Sequence, residues 1–236
     1  MGTQARKFLA EFVGTFMLVF VGTAVATLTG TFGYDGAGSM LMISFAFGMT
    51  LMVLVWVIGP ISGCHLNPAV TVAMTLSGRS QWSAMPSYII AQVGGGIVAS
   101  LVLLWLMSGL PAHDIASHGL GANGNPQAMS TLALLVWEVV LTALFLFTIF
   151  SATRDDATPG FAGLAIGGFL LIAHLVGAQL GDSSLNPARS LGPALFQGGE
   201  ALNTVWIFIV GPIVGGIIGW LLYKGIYQSD GPQSNS

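Results

Sequence analysis

The chain has 236 residues, 54% of them hydrophobic and 6% charged, with a formal net charge of -3. About a quarter of the residues in an ordinary soluble domain are charged, so this composition excludes a water-surrounded globule and makes the lipid bilayer the expected solvent and partner. The small negative charge, without a basic run, gives no footing for nucleic acid, and the lone Cys64 excludes an intramolecular disulfide framework.

In chain order, apolar runs at Phe8–Leu28, Ser39–Ile58, Trp82–Met107, Thr131–Ser151, Gly160–Gly177 and Thr204–Tyr223 predict six membrane-spanning helices. A hydrocarbon core of ~30 Å needs about 20 helical residues, and the runs meet that length. The first run follows Arg6 and Lys7 but outlasts a signal peptide and lacks a convincing cleavage site, so it reads as a retained helix. Glycines fall inside the runs, at Gly94-Gly95-Gly96, Gly167-Gly168 and Gly215-Gly216, where small residues let membrane helices approach closely. Two further apolar segments, Asn67–Leu76 and Asn186–Phe196, are too short to cross. Ten residues at ~1.5 Å each reach ~15 Å, about half the hydrocarbon thickness.

The chain repeats itself at about half its length. Asn67-Pro68-Ala69 recurs as Asn186-Pro187-Ala188, Ala46-Phe47-Gly48 matches Ala165-Ile166-Gly167, and Gly95-Gly96-Ile97 matches Gly215-Gly216-Ile217. Glu11 in the first run has a counterpart in Glu138 of the fourth. Three spans per copy is an odd number, so the copies, about 6–108 and 130–224, enter the membrane from opposite faces as an inverted repeat. The two short segments then meet end to end near the midplane, preceded by irregular backbone at Gly59–Leu66 and Ala178–Leu185. Irregular backbone at that depth requires protein burial or a wet cavity around it. A pore is therefore implied, within a single channel domain over 1–236 that ends in a polar, disordered tail at 228–236.

Placing both termini in the cytoplasm puts Arg6, Lys7, Arg79, Arg154 and Lys224 inside, while 29–38 and 108–130 on the other side contain no Lys or Arg. Arg189 alone breaks this distribution, which marks it for function.

Asn is a strong N-cap and Pro is favoured at the first helical position, so each Asn-Pro reads as a helix start. With the Asn oxygen capping its own helix, its amide nitrogen is left as a donor facing the midplane, beside the positive end of a half-helix. Water is then held by its oxygen at Asn67 and Asn186 with its hydrogens turned outward in both directions. That orientation breaks a proton wire, and the dipoles repel cations. Glu11 and Glu138, as symmetry mates near helix starts, are placed to accept bonds from the unwound loops. Intramembrane carboxylates also serve ion-coupled carriers, which makes a secondary transporter the rival reading. No nucleophile–base set or metal-ligand cluster lies in the apolar segments, so no enzyme, cofactor or metal site is expected.

Ala10-Glu11-Phe12-Val13-Gly14-Thr15-Phe16, Ser62-Gly63-Cys64-His65-Leu66-Asn67-Pro68-Ala69-Val70-Thr71 and Asn186-Pro187-Ala188-Arg189-Ser190 resemble motifs of the aquaporin family over residues 6 to 224. The resemblance implies six full helices with two re-entrant half-helices, and a multi-pass homotetramer in the cell membrane with one water pore per subunit. It is nearest to bacterial water channels. It implies an aromatic/arginine selectivity filter at Phe47, His174, Ser183 and Arg189. By themselves Phe47 also reads as a core aromatic and His174 as a satisfied core histidine. Glycerol-conducting members usually have Gly at the place of His174 and Asp at that of Ser190, so the resemblance implies poor glycerol conduction. Ser183 stands where Thr, Cys or Ala is common and Ile209 where Trp is frequent. The inverted repeat carries Cys64 to the depth mirrored by Ser183, beside the inner half of the pore. His65 either lines that half or bonds loop backbone. His113, Asp114 and His118 in the connection 108–130 read as exposed loop residues in preference to a metal site.

Overall fold

A computed structural model describes residues 2–34, 36–124, 129–177 and 183–227, and these form an all-helical bundle. The elements are α1 Thr3–Thr31, α2 Ala37–Ser62, α3 Pro68–Leu76, α4 Met85–Ser108, α5 Ile115–His118, α6 Thr131–Ala152, α7 Ala162–Gly177, α8 Pro187–Gln197, α9 Gly199–Thr204 and α10 Ile207–Tyr227. Helices α1, α2, α4, α6 and the α9–α10 stretch are each long and apolar enough to cross a membrane, and the apolar α7 supplies the remaining span with 16 described residues. The last apolar run is not one continuous helix from Thr204, because α9 stops there and α10 begins at Ile207. Trp82 also lies outside its predicted span, in the turn that precedes α4. The tail 228–236 and the loop portion 178–182 lie outside the described residues.

Many of the large apolar side chains face outward, including Trp105 at 72% exposure and Leu132 at 69%. In water such a surface would drive association, but in lipid it is the solvated face. The polar groups are inside instead, among them Glu11, Gln92 and Glu138, each with no exposed surface.

The two halves interlock. The first-half pair α1 and α4 packs together, as does its counterpart α6 and α10, while α2 packs on α7 across the halves. The short helices cross over: α3 packs on α10 and α8 on α4. Glycine makes this possible at matched positions. A Cβ on Gly96 of α4 would come within 2.5 Å of the Ala188 carbonyl oxygen, and one on Gly216 of α10 within 3.2 Å of the Ala69 carbonyl oxygen. Each half-helix therefore starts against the backbone of the opposite copy.

Candidate functional site

The half-helices begin as the sequence dictates locally. Asn67 is extended at the N-cap of α3 and its side-chain oxygen accepts from the Ala69 N–H at 2.8 Å. Asn186 caps α8 in the same way, accepting from Ala188 at 3.0 Å and from Arg189 at 3.3 Å. Pro68 and Pro187 occupy the first helical positions, and Ala69 and Ala188 follow them, buried completely.

The amides are not wholly free, as the sequence reading has them. Asn67 Nδ2 donates to the Leu185 carbonyl at 2.6 Å, and Asn186 Nδ2 donates to the Leu66 carbonyl at 2.9 Å. A carboxamide nitrogen carries two N–H groups, so one of each pair is committed to the opposite half and one remains. The carbonyls that receive these bonds belong to residues in left-handed backbone, Leu66 at φ 52° and Leu185 at φ 57°. Non-glycine residues enter that region at a cost of about 1–3 kcal/mol and persist only where their surroundings fix them. Here the crosswise bonds do so.

The carboxylates brace the same loops. Glu11 accepts from Ser62 Oγ (2.6 Å), the His65 N–H (3.0 Å), the Leu66 N–H (2.7 Å) and Gln92 Nε2 (2.7 Å). Glu138 accepts from the Ser184 N–H at 2.8 Å and the Leu185 N–H at 3.0 Å. Buried charge is expensive unless hydrogen bonds replace water, and the unwound backbone supplies those donors. The Ser184 and Ser190 hydroxyls bond each other, and Ser184 Oγ also donates to the Asn186 carbonyl.

Between the halves lies a cavity of about 70 Å³, room for a few waters. Asn67, Asn186, Cys64, His65, Phe47, His174 and Arg189 all line it, and their neighbours along the wall are largely apolar, such as Leu18, Val70, Phe145 and Ile166. Three of the lining side chains sit against one another. The Phe47 and His174 rings stack with centroids 4.5 Å apart, and the Arg189 guanidinium carbon sits 4.8 Å from the Phe47 centroid. Phe47 thus touches both polar residues. Arg189 Nη1 donates to the Gly121 carbonyl at 2.9 Å and to Asn123 Oδ1 at 2.7 Å. The cavity does not reach Ser183, whose hydroxyl donates to the Ala173 carbonyl at 3.2 Å.

The wall also includes Met74, Val55 and Thr153. Thr153 Oγ1 accepts from Arg79 at 3.0 Å, and Arg79 in turn donates to Tyr223 and lies over the Phe150 and Tyr223 rings. His65 lines the cavity and bonds a side chain, Thr71, in place of loop backbone. His113 pairs with Thr31 and His118 with the Asp114 N–H, so these loop residues are occupied locally. No group of three or more metal-ligating side chains occurs among the described residues.

Sequence reasoning passed over Gln92, Asn123 and the carbonyls of Leu66 and Leu185. Gln92 carried a signal, as an amide in an otherwise apolar span. Asn123 and the leucine carbonyls carried none, since their role depends on what the fold sets beside them.

A family model described as Major intrinsic protein matches residues 2–223. The chain is 44% identical over 225 residues to an Aquaporin Z of Rhodopseudomonas palustris, covering 94% of this chain and 93% of the relative. It is 44% identical over 227 residues to an Aquaporin Z of Bradyrhizobium diazoefficiens, covering 94% of each. Among solved structures, the X-ray structure of the aquaglyceroporin from Plasmodium falciparum matches with a TM-score of 0.80 at 22% identity, covering 94% of this chain and 96% of that one. At that identity the likeness is one of fold.

Proposed function

Because this chain belongs to the major intrinsic protein family, whose aquaporins are channels and not enzymes, we propose that it conducts water passively, in single file, and passes glycerol poorly. The observation that carries this reading is the cavity in which the two Asn side chains and Arg189 converge on a narrow, mostly apolar space. Each Asn retains one N–H for a passing water, at the positive end of a half-helix. A water there is held by its oxygen, with both hydrogens turned along the passage, so no donor chain runs through the midplane. Cations meet two converging dipoles and the fixed charge of Arg189.

Phe47, His174 and Arg189 form the selective constriction in this reading, with Ser183 behind it against α7. Arg189 offers rigid donors that replace part of a water's hydration shell, and in this reading the bulk of the stacked rings excludes a carbon chain. Glu11 and Glu138 are structural, fixing the loops whose carbonyls and amides face the midplane, and no ion gradient is coupled to flux. Four subunits assemble, each a single domain with its own pore, in the cell membrane. Arg6, Lys7, Arg79, Arg154 and Lys224 lie on the cytoplasmic side with both termini.

Stopped-flow light scattering on proteoliposomes, with water and glycerol compared in one preparation, tests the proposal. Fast water flux of low activation energy with slow glycerol flux is expected. Glycerol moving as readily as water, or flux that saturates and follows an ion gradient, would overturn it.

A further inference from the structure

Two histidines line the cavity, and the hydrogen-bond inventory around each decides which ring nitrogen carries its proton. Gln92 Nε2 lies 2.7 Å from Glu11 Oε2 and 2.8 Å from Thr71 Oγ1. An amide oxygen in that place would press on a carboxylate already accepting three other bonds, so both Gln92 N–H groups point there. Its Oε1 is consequently buried without a partner among the described residues. Thr71 has no exposed surface, and its oxygen accepts from Gln92. Its own proton must go elsewhere, and the acceptor found for it among the described residues is His65 Nδ1 at 3.1 Å. Leaving that proton unpaired would cost about 1–3 kcal/mol. With Nδ1 as acceptor, neutral His65 carries its proton on Nε2, which has no protein partner among the described residues.

His174 is the reverse. Its Nδ1 lies 2.9 Å from the Leu170 carbonyl, which only accepts, so Nδ1 holds the proton and Nε2 is a bare acceptor without a partner among the described residues.

We propose that Gln92, acting through Thr71, holds His65 as the Nε2–H tautomer, the opposite of His174, so that the ring of His65 offers a donor to the cavity it lines. Gln92 is a positioning residue, since it lies behind the wall and reaches the cavity only through Thr71. The consequence for transport rests on the water-channel reading: a water at His65 is held by its oxygen. The tautomers themselves do not depend on that reading.

The test is solid-state NMR of protein labelled with ¹⁵N-histidine in lipid bilayers at neutral pH, since protonated and bare imidazole nitrogens resonate far apart. Replacing His113 and His118 with Asn leaves two of the four histidines to assign. The expected spectrum has His65 bare at Nδ1 and protonated at Nε2, with His174 the opposite. Gln92→Leu and Thr71→Val should each mix the His65 tautomers and leave His174 unmoved, while Thr71→Ser, which keeps the hydroxyl, should retain the parent spectrum. A proton on Nδ1 of His65 in the parent overturns the inference, as does a Thr71→Val spectrum identical to the parent's. Water flux measured on the same samples separates the two readings. The expected tautomers without water flux sink the channel proposal alone, and water flux with the wrong tautomer sinks this inference alone.

Discussion

The Arg189 guanidinium carbon lies 4.8 Å from the centroid of the Phe47 ring. A cation over an aromatic face contributes roughly 0.5–2 kcal/mol depending on desolvation, so each side chain limits where the other can sit. Behind Phe47 stands Gly22 of α1, where a Cβ would overlap the ring. Gly22→Ala therefore forces the Phe47 ring to move and disturbs its contacts with His174 and Arg189. Water flux per subunit should fall several-fold while the protein still assembles, and Gly22→Ala with Phe47→Leu should recover it. Unchanged flux in Gly22→Ala, measured by stopped-flow at matched protein density, would place the narrowest point elsewhere.

Removing aromatic bulk and the His174 ring together should admit a carbon chain. In Phe47→Leu with His174→Gly the stack is gone and Arg189 retains its bonds to Gly121 and Asn123. Glycerol flux should rise and the water-to-glycerol ratio should drop by about tenfold, equivalent to ~1.4 kcal/mol of discrimination. A ratio equal to the parent's in a correctly assembled variant removes these residues from the constriction.

Asn67→Asp separates capping from cross-linking. The carboxylate keeps the acceptor for Ala69 N–H but sets a second oxygen against the Leu185 carbonyl, where Asn67 donates at 2.6 Å. The lost bond and the unpaired carbonyl should lower stability by about 1–3 kcal/mol, read as an earlier thermal transition in detergent. The negative charge also offsets the dipole of α3, so cation or proton leak should exceed the parent's. A variant as stable and as tight as the parent contradicts the role given to the crosswise bond.

Glu138→Gln tests whether the second-half carboxylate is structural. It accepts the Ser184 and Leu185 N–H groups, and a neutral amide can turn only one oxygen to them. Thermal stability should decrease, while water flux in the surviving protein stays independent of an imposed pH gradient, as in the parent. Gradient-dependent flux in the parent that disappears in the variant would favour ion coupling.

Cys64 lines the cavity and is otherwise buried. Mercurials should inhibit water flux slowly, because a reagent must enter the passage to reach the thiol, and Cys64→Ser should abolish the effect. The chain contains no other Cys, so persistent inhibition in the variant would mean that the metal acts through some other group.

What the sequence discloses here is chemistry confined to a few neighbouring residues. Asn-Pro at a helix start, an apolar run of membrane length and the doubling of Glu11 in Glu138 are all read from local pattern. The crosswise bonds escape it for a physical reason: their acceptors are main-chain carbonyls of leucines, and every residue has a carbonyl. Their left-handed backbone has no sequence mark either, since the position is held by leucine and not glycine. Asn123 reaches Arg189 and Ser190 from a long connection, and nothing in its flanking residues sets it apart. Rotamers are equally unwritten, and the turn of Ser183 toward Ala173 depends on packing that only the folded chain supplies.

The bond from Asn67 to Leu185 joins residues 118 apart in the chain, and that distance is also an interval of time. A ribosome delivers the first half-helix well before the carbonyl that steadies it, at ~5–20 residues per second. Through that interval Leu66 has its first-half contacts, the bond to Glu11 and its packing near Gly14, but not the Asn186 donor that meets its carbonyl in the folded chain. The nascent first half is therefore an open structure awaiting its complement, and a chain truncated before Asn186 leaves it permanently so. Quality-control proteases should degrade such truncations, whereas the two halves synthesised as separate polypeptides in one cell retain every group needed to close on each other.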